Sequence, residues 1–157
     1  MNYSQTDSRW KNERLGKSTQ KDGTIGNKGC VITALCNLYN RVFGEDINPS
    51  QLNKLLTNNG GYLLSGGYSL VLWGNVYRSL PKLKFVFRDP NYSNSLVWSW
   101  INVTPRLPVI VCARTKFAPQ HFFLFIGGGK MIDSLDGKEK STSTYPTLTG
   151  SARYTRA

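Results

Sequence analysis

From Cys30 to Phe43 the apolar residues Val31, Ala34, Leu35, Leu38 and Val42 recur at helical spacing, and Gly44 stands where such a helix would stop. Asn48-Pro49-Ser50-Gln51 predicts a second helix start, with Asn48 as cap and Pro49 at the first helical position. That helix carries Leu52, Leu55 and Leu56 and ends in Asn58-Asn59-Gly60-Gly61. Leu70, Trp73, Val76 and Tyr77 predict a third amphipathic helix over 69–80. Residues 1–29 are polar apart from Tyr3 and Trp10 and are punctuated by Gly16, Gly23, Gly26 and Gly29, which reads as an extended arm and loop.

The second half changes period. Leu83 to Arg88 is rich in β-type residues, a short helix is expected over 96–102, and Pro108 to Ala113 reads as a buried strand. His121 to Ile126 and Lys130 to Asp133 flank Gly127-Gly128-Gly129 and predict a hairpin. Ser141 to Tyr145 and Ala152 to Thr155 are expected to add edges. Helices first and an antiparallel sheet afterwards make an α+β chain, expected to be a single domain over 1–157.

Composition fits a folded core, with 39% hydrophobic and 12% aromatic residues. Lys and Arg outnumber Asp and Glu by 20 to 9, a formal charge of +11. Acidic residues are absent between Asp46 and Asp89 and again between Asp89 and Asp133. Such a surplus suits a polyanionic partner: nucleic acid, an anionic membrane or an anionic cell-wall polymer. It also suits a merely soluble basic surface. The polar start, Met1 to Arg14, lacks the apolar stretch of a signal peptide, and the apolar runs are too short to span a bilayer. The expectation is a chain made in the cytoplasm that reaches any outside target by another exit.

Three cysteines do not form a disulfide framework, and Cys30 and Cys36 would point to nearly opposite sides of one helix. The spacing suggests no zinc site, and no cofactor is expected. Cys36, inside the helical pattern, and Cys112, inside an apolar strand, look like core thiols. Cys30 differs, because the positive end and free N–H groups of a helix stabilise a thiolate. Gly29 before it would let a substrate approach closely. The chain has one histidine, His121, at the start of an otherwise apolar strand. Asp133 follows on the neighbouring strand, where antiparallel pairing can bring it to the imidazole. Thiol, imidazole and carboxylate are the parts of nucleophilic acyl transfer. Asp136 is the competing carboxylate, better suited to shaping the turn Leu135-Asp136-Gly137. Acyl transfer also needs oxyanion donors. The Cys30 backbone N–H is one, and Gln5, Gln20 and Asn27 are open alternatives for a side-chain amide.

The run Tyr3-Ser4-Gln5-Thr6-Asp7-Ser8-Arg9-Trp10, then Leu15-Gly16, then Gly29-Cys30-Val31-Ile32-Thr33-Ala34-Leu35 resembles the opening of papain-like cysteine peptidases. Within these it is similar to the group related to bacteriocin leader peptidases. Asn48-Pro49-Ser50-Gln51-Leu52, Gly61-Tyr62, Pro108-Val109-Ile110, His121-Phe122 and Ile132-Asp133 continue that pattern in order over residues 3–145. Ser134 stands where the group usually has proline, and Lys28 where it has an aspartate before Gly-Cys. The resemblance implies a papain-like fold with the nucleophile at a helix start packed on the C-terminal sheet. It implies Cys30 as nucleophile, His121 as base, Asp133 as its orienter and Gln5 as the oxyanion side chain.

The function expected is a stand-alone cysteine peptidase or amidase working through a thioester. Size and charge suit a phage-type enzyme cutting stem peptides of peptidoglycan, acting at the bacterial wall after lysis or from a virion. The rival expectation is a papain-like binding or inhibitory module whose basic face grips nucleic acid or a host protein.

Overall fold

In the computed structural model, residues 1–90 and 107–157 are described. The helix expected over 96–102 lies outside them. The polar N-terminal segment is more ordered than an arm and loop. Arg14 and Thr24 form an isolated antiparallel bridge, and the Thr24 side chain caps a one-turn helix, α1 (Ile25–Lys28). Helix α2 (Cys30–Phe43) follows directly and has the predicted limits. Gly44 closes it with φ +65°, a left-handed conformation that glycine adopts without penalty, and its N–H reaches the Asn40 carbonyl. Helix α3 (Pro49–Asn58) starts with a full capping box. Asn48 Oδ1 accepts from the Gln51 N–H at 2.8 Å and Gln51 Oε1 accepts from the Asn48 N–H at 2.9 Å. Leu52 and Leu56 are buried against α2, whereas Leu55 faces solvent.

The third helix expected over 69–80 does not form. Tyr62–Ser65 and Tyr68–Val71 pair instead as an antiparallel hairpin, β1 and β2, and only Trp73–Arg78 winds into a 3-10 helix. Gly66 and Gly67 take φ of +58° and +81°, the paired positive values a two-residue hairpin turn demands. The N-terminal segment then fixes the hairpin. Ser18 Oγ accepts from the Ser69 N–H at 2.8 Å, and the Thr19 N–H donates to the Gly67 carbonyl at 2.8 Å. Turn chemistry and long-range docking override the helical spacing here.

The remaining strands are β3 (Leu83–Asp89), β4 (Val109–Ala113), β5 (His121–Gly127), β6 (Lys130–Ile132), β7 (Glu139–Ser141) and β8 (Leu148–Arg156). They form one antiparallel sheet in the order β3-β8-β4-β5-β6-β7. The segment Ala152 to Thr155, expected at an edge, belongs to β8, an interior strand between β3 and β4. Of the other expected edge, Ser141 ends β7 and Thr142–Thr144 is a 3-10 turn. Alternation splits the sheet's side chains between two faces. Ile110, Cys112, Phe122, Leu124 and Ile132 join α2 and α3 in the larger core, while Val109, Val111, Phe123, Phe125 and Met131 pack with Tyr145 and Leu148 on the other side. The molecule is thus α+β, with helices from the N-terminal half packed on a C-terminal antiparallel sheet. Among the described residues, no helix is long and apolar enough to cross a membrane.

The N-terminal residues are tied to α2 by one buried amide. Asn37 Oδ1 accepts from the Tyr3 N–H at 2.7 Å and Asn37 Nδ2 donates to the Tyr3 carbonyl at 3.2 Å. Replacing Asn37 with leucine removes the partners of two buried backbone groups. An Asn37→Leu protein is expected to lose about 2 kcal/mol or more in urea unfolding. Unchanged stability would show that the arm does not depend on this amide.

Candidate active site

Cys30 is the first residue of α2, and no side chain caps that helix end, so its first N–H groups face outward unclaimed by a cap. Gly29 is required there by packing. A Cβ at that position would collide with the Ile25 carbonyl oxygen and Ile25 Cγ2, because α1 and α2 meet at a sharp junction. The reason is therefore the close approach of α1, where the sequence suggested access for a substrate. Of the three cysteines, Cys30 is half-buried while Cys36 and Cys112 are buried. Burial pushes the Cys36 thiol well above its ordinary value and, as the largest influence, also raises that of Cys112.

His121 opens β5, so its ring stands at the end of the sheet. Its Nε2 lies 2.6 Å from Asp133 Oδ1, and Cys30 is near enough to act on the same ring electrostatically. An ionised carboxylate has no hydrogen to give, so Nε2 carries a proton and Nδ1 is the ring nitrogen that Asp133 leaves free. Phe117 and Tyr145 pack edge-on to the imidazole at 5.1 and 5.2 Å between ring centroids, which restricts its rotation. Burial is the largest influence on His121 and opposes its charging. The hydrogen bond to Asp133 and its negative charge, together with the influence of Cys30, outweigh burial and raise the imidazole to about 9.

Asp133 is fully buried. Burial alone would raise its carboxyl, but donors from His121, Lys140, Tyr145 and the Leu135 N–H hold it well below the usual carboxylate range. Lys140 Nζ and Tyr145 Oη donate to Oδ2 at 2.8 and 2.5 Å, and the Leu135 N–H donates to Oδ1 at 3.0 Å. Asp136 shapes the turn as expected, accepting from the Lys138 N–H at 3.1 Å, and it also pairs with Lys140 at 2.9 Å. Lys140 and Tyr145 were not legible as site residues. They follow Asp133 by 7 and 12 positions and belong to no motif.

Gln5 is buried between the two halves of the site. Its backbone N–H donates to the Ser134 carbonyl at 2.8 Å and its Nε2 donates to the Gly26 carbonyl at 3.0 Å. One hydrogen of that amide stays available, while Oε1 and the neighbouring Ser134 Oγ are buried without a hydrogen-bond partner among the described residues. Of the alternative amides, Gln20 is engaged at the hairpin turn, its Nε2 donating to the Gly66 carbonyl at 3.2 Å. Asn27 is exposed and shares with Cys30 the wall of a cleft of about 400 Å³. The β1–β2 hairpin supplies Tyr68 and Leu70 to this cleft, and the segment before β5 supplies Pro119. Lys28 stands at its mouth over the Tyr68 ring, 3.8 Å from Asp22.

No protein-family model, curated protein or solved structure matches this chain. The arrangement is therefore read from its own atoms. It holds an accessible thiol at a helix start, an imidazole that favours its charged form, and a buried carboxylate on the far ring nitrogen. Such a set can generate a sulfur nucleophile and move a proton.

The thiols supply a direct check. Under mild alkylation followed by peptide mass spectrometry, Cys30 is expected to label well before Cys36 and Cys112. A His121→Ala protein is expected to label at Cys30 about tenfold more slowly at neutral pH, since the cationic partner of the thiolate is gone. First labelling at Cys112 would refute the assignment of the reactive thiol.

Proposed function

We propose that the chain is a papain-like cysteine peptidase or amidase that works by acyl transfer through a thioester. The observation that carries this reading is the convergence of Cys30, His121 and Asp133, in which Asp133 holds Nε2 of the imidazole and Cys30 acts on the same ring. In the first step the Cys30 sulfur attacks a substrate carbonyl, forming the S–C bond. The tetrahedral intermediate collapses as the C–N bond breaks, and His121 passes its proton to the leaving amine. In the second step neutral His121 takes a proton from water, which attacks the thioester carbonyl. The S–C bond breaks, and the acid product leaves with the thiol restored. Asp133 keeps Nε2 protonated throughout, so that Nδ1 is the nitrogen that works. The Cys30 backbone N–H and the free hydrogen of the Gln5 amide serve the oxyanion. Gln5 suits this role because its amide is anchored to Gly26, four residues before the nucleophile.

The cleft beside Cys30 would take the acyl part of a peptide. The substrate class we propose is the peptide portion of peptidoglycan, with the basic surface concentrating a phage-type enzyme on anionic wall polymers. Support for this step is the charge of +11, and it is independent of the support for the chemistry.

The protein is expected to release soluble peptide-bearing fragments from isolated walls, and the Cys30→Ala protein to release none. His121→Ala is expected to lower kcat/KM by about 100- to 10,000-fold. Intact walls from diverse bacteria, together with tight binding of nucleic acid or a host protein, would favour the binding-module reading instead.

The pH profile checks the chemistry separately. The cationic imidazole is present below about pH 9, so turnover is expected to persist through neutral pH and fall as the pH rises through about 9. In kcat/KM, which reports the free enzyme and the attack of the thiol, a limb near the ordinary histidine value, rising from acid to alkaline, would contradict the ion-pair form of the mechanism.

A further inference from the structure

We propose that Lys140 and Tyr145 are positioning residues for the His121 base: together they occupy the second oxygen of Asp133, leaving Oδ1 for the imidazole, and the Lys140 ammonium limits how basic that imidazole becomes. A carboxylate offers about four lone-pair directions. On Asp133 two are taken at Oδ1 by His121 Nε2 (2.6 Å) and the Leu135 N–H (3.0 Å), and two at Oδ2 by Lys140 Nζ (2.8 Å) and Tyr145 Oη (2.5 Å). Lys140 lies on β7 and Tyr145 just beyond the following 3-10 turn, so the two donors reach Oδ2 from separate positions of the chain. Tyr145 holds acid and base at once, because its ring also meets the His121 ring edge-on at 5.2 Å.

The charges around the carboxylate explain the second role. Asp133 faces His121 from β5, Lys140 from β7, Tyr145 after it, and Cys30 from α2 through the imidazole. Asp136 in the β6–β7 turn adds a second negative charge, 2.9 Å from the same ammonium. Without Lys140 the carboxylate on Nε2 would act on the imidazolium with no neighbouring cation to offset it. The imidazolium would then hold its proton too firmly to act as the free base that thioester hydrolysis requires. Nearby charge shifts of this kind typically amount to about one unit or more.

The inference rests on the proposed thioester chemistry for its effect on turnover, but its primary test reads the imidazole itself. His121 is the sole histidine, so its ring gives one set of NMR signals whose titration belongs to one group. In Lys140→Met the titration is expected to move upward by about one unit. Lys140→Arg is expected to restore it, and Tyr145→Phe to move it upward by less. On a hydrolysed substrate at neutral pH, Lys140→Met is expected to lower kcat about tenfold with KM falling in parallel, because hydrolysis of the thioester slows while its formation does not. A folded Lys140→Met protein with a wild-type His121 titration overturns the proposal, even if activity is lost. Should Lys140→Met fail to fold, Tyr145→Phe keeps the ring and decides instead, and an unmoved titration there overturns it equally. A shifted titration in a protein that hydrolyses nothing would sustain this inference while refuting the peptidase reading.

Discussion

An ionised carboxylate taken out of water costs several kcal/mol unless its lone pairs are filled, and Asp133 meets that demand by drawing donors from separate stretches of chain. His121 comes from the start of β5, the Leu135 N–H from the turn after β6, Lys140 from β7 and Tyr145 from beyond it. Burial of the carboxylate is tolerable only with the end of the sheet assembled around it. With those donors in place, Asp133 fixes the imidazole through Nε2 and leaves Nδ1 free.

Cys30 and His121 belong to different layers, and two devices hold the layers in register. The first is the core between α2 and the sheet, where Leu35 and Leu38 share a cluster with Phe122, Leu124 and Ile132. The second is the N-terminal segment, which crosses both layers. Tyr3 is bound through its backbone to Asn37 of α2, its ring meets Trp10 at 5.5 Å, and the Trp10 indole donates to the Ser4 carbonyl at 2.8 Å. Two residues on from Tyr3, Gln5 joins Ser134, next to Asp133, to Gly26, four residues before Cys30. A segment that looks polar and irregular thus ties the stretch that bears Asp133 to the one that bears Cys30.

The sequence made some of this legible and hid the rest for physical reasons. Helices α2 and α3 were readable because an apolar period is bounded by Gly44 after α2 and by the Asn48 cap and Pro49 before α3. The approach of His121 and Asp133 was readable because a tight glycine turn between two strands leaves few registers. The β1–β2 hairpin was not. Its apolar residues fit a helical period, and the Gly66-Gly67 turn and the docking of Ser18 and Thr19 decided otherwise. The interior position of β8 was hidden because a strand's place in a sheet depends on partners distant in sequence. Lys140 and Tyr145 escaped for a related reason: the contacts that give them meaning exist only after three strands and a turn have assembled.

The charge balance has two separate consequences. Most acidic side chains are committed within the fold. Asp7, Asp22, Glu45 and Asp136 pair with Arg9, Lys28, Lys82 and Lys140, while Glu13, Asp46 and Asp89 accept from the hydroxyls of Ser50, Tyr3 and Ser151. The surplus of Lys and Arg is consequently a property of the surface, where charges are screened over about 8 Å at physiological ionic strength. The Asp133 network is buried and much less exposed to that screening. Salt therefore acts chiefly on the surface charge and little on the state of His121. A change in ionic strength separates the two in a way that a change in pH cannot, because pH titrates the imidazole itself.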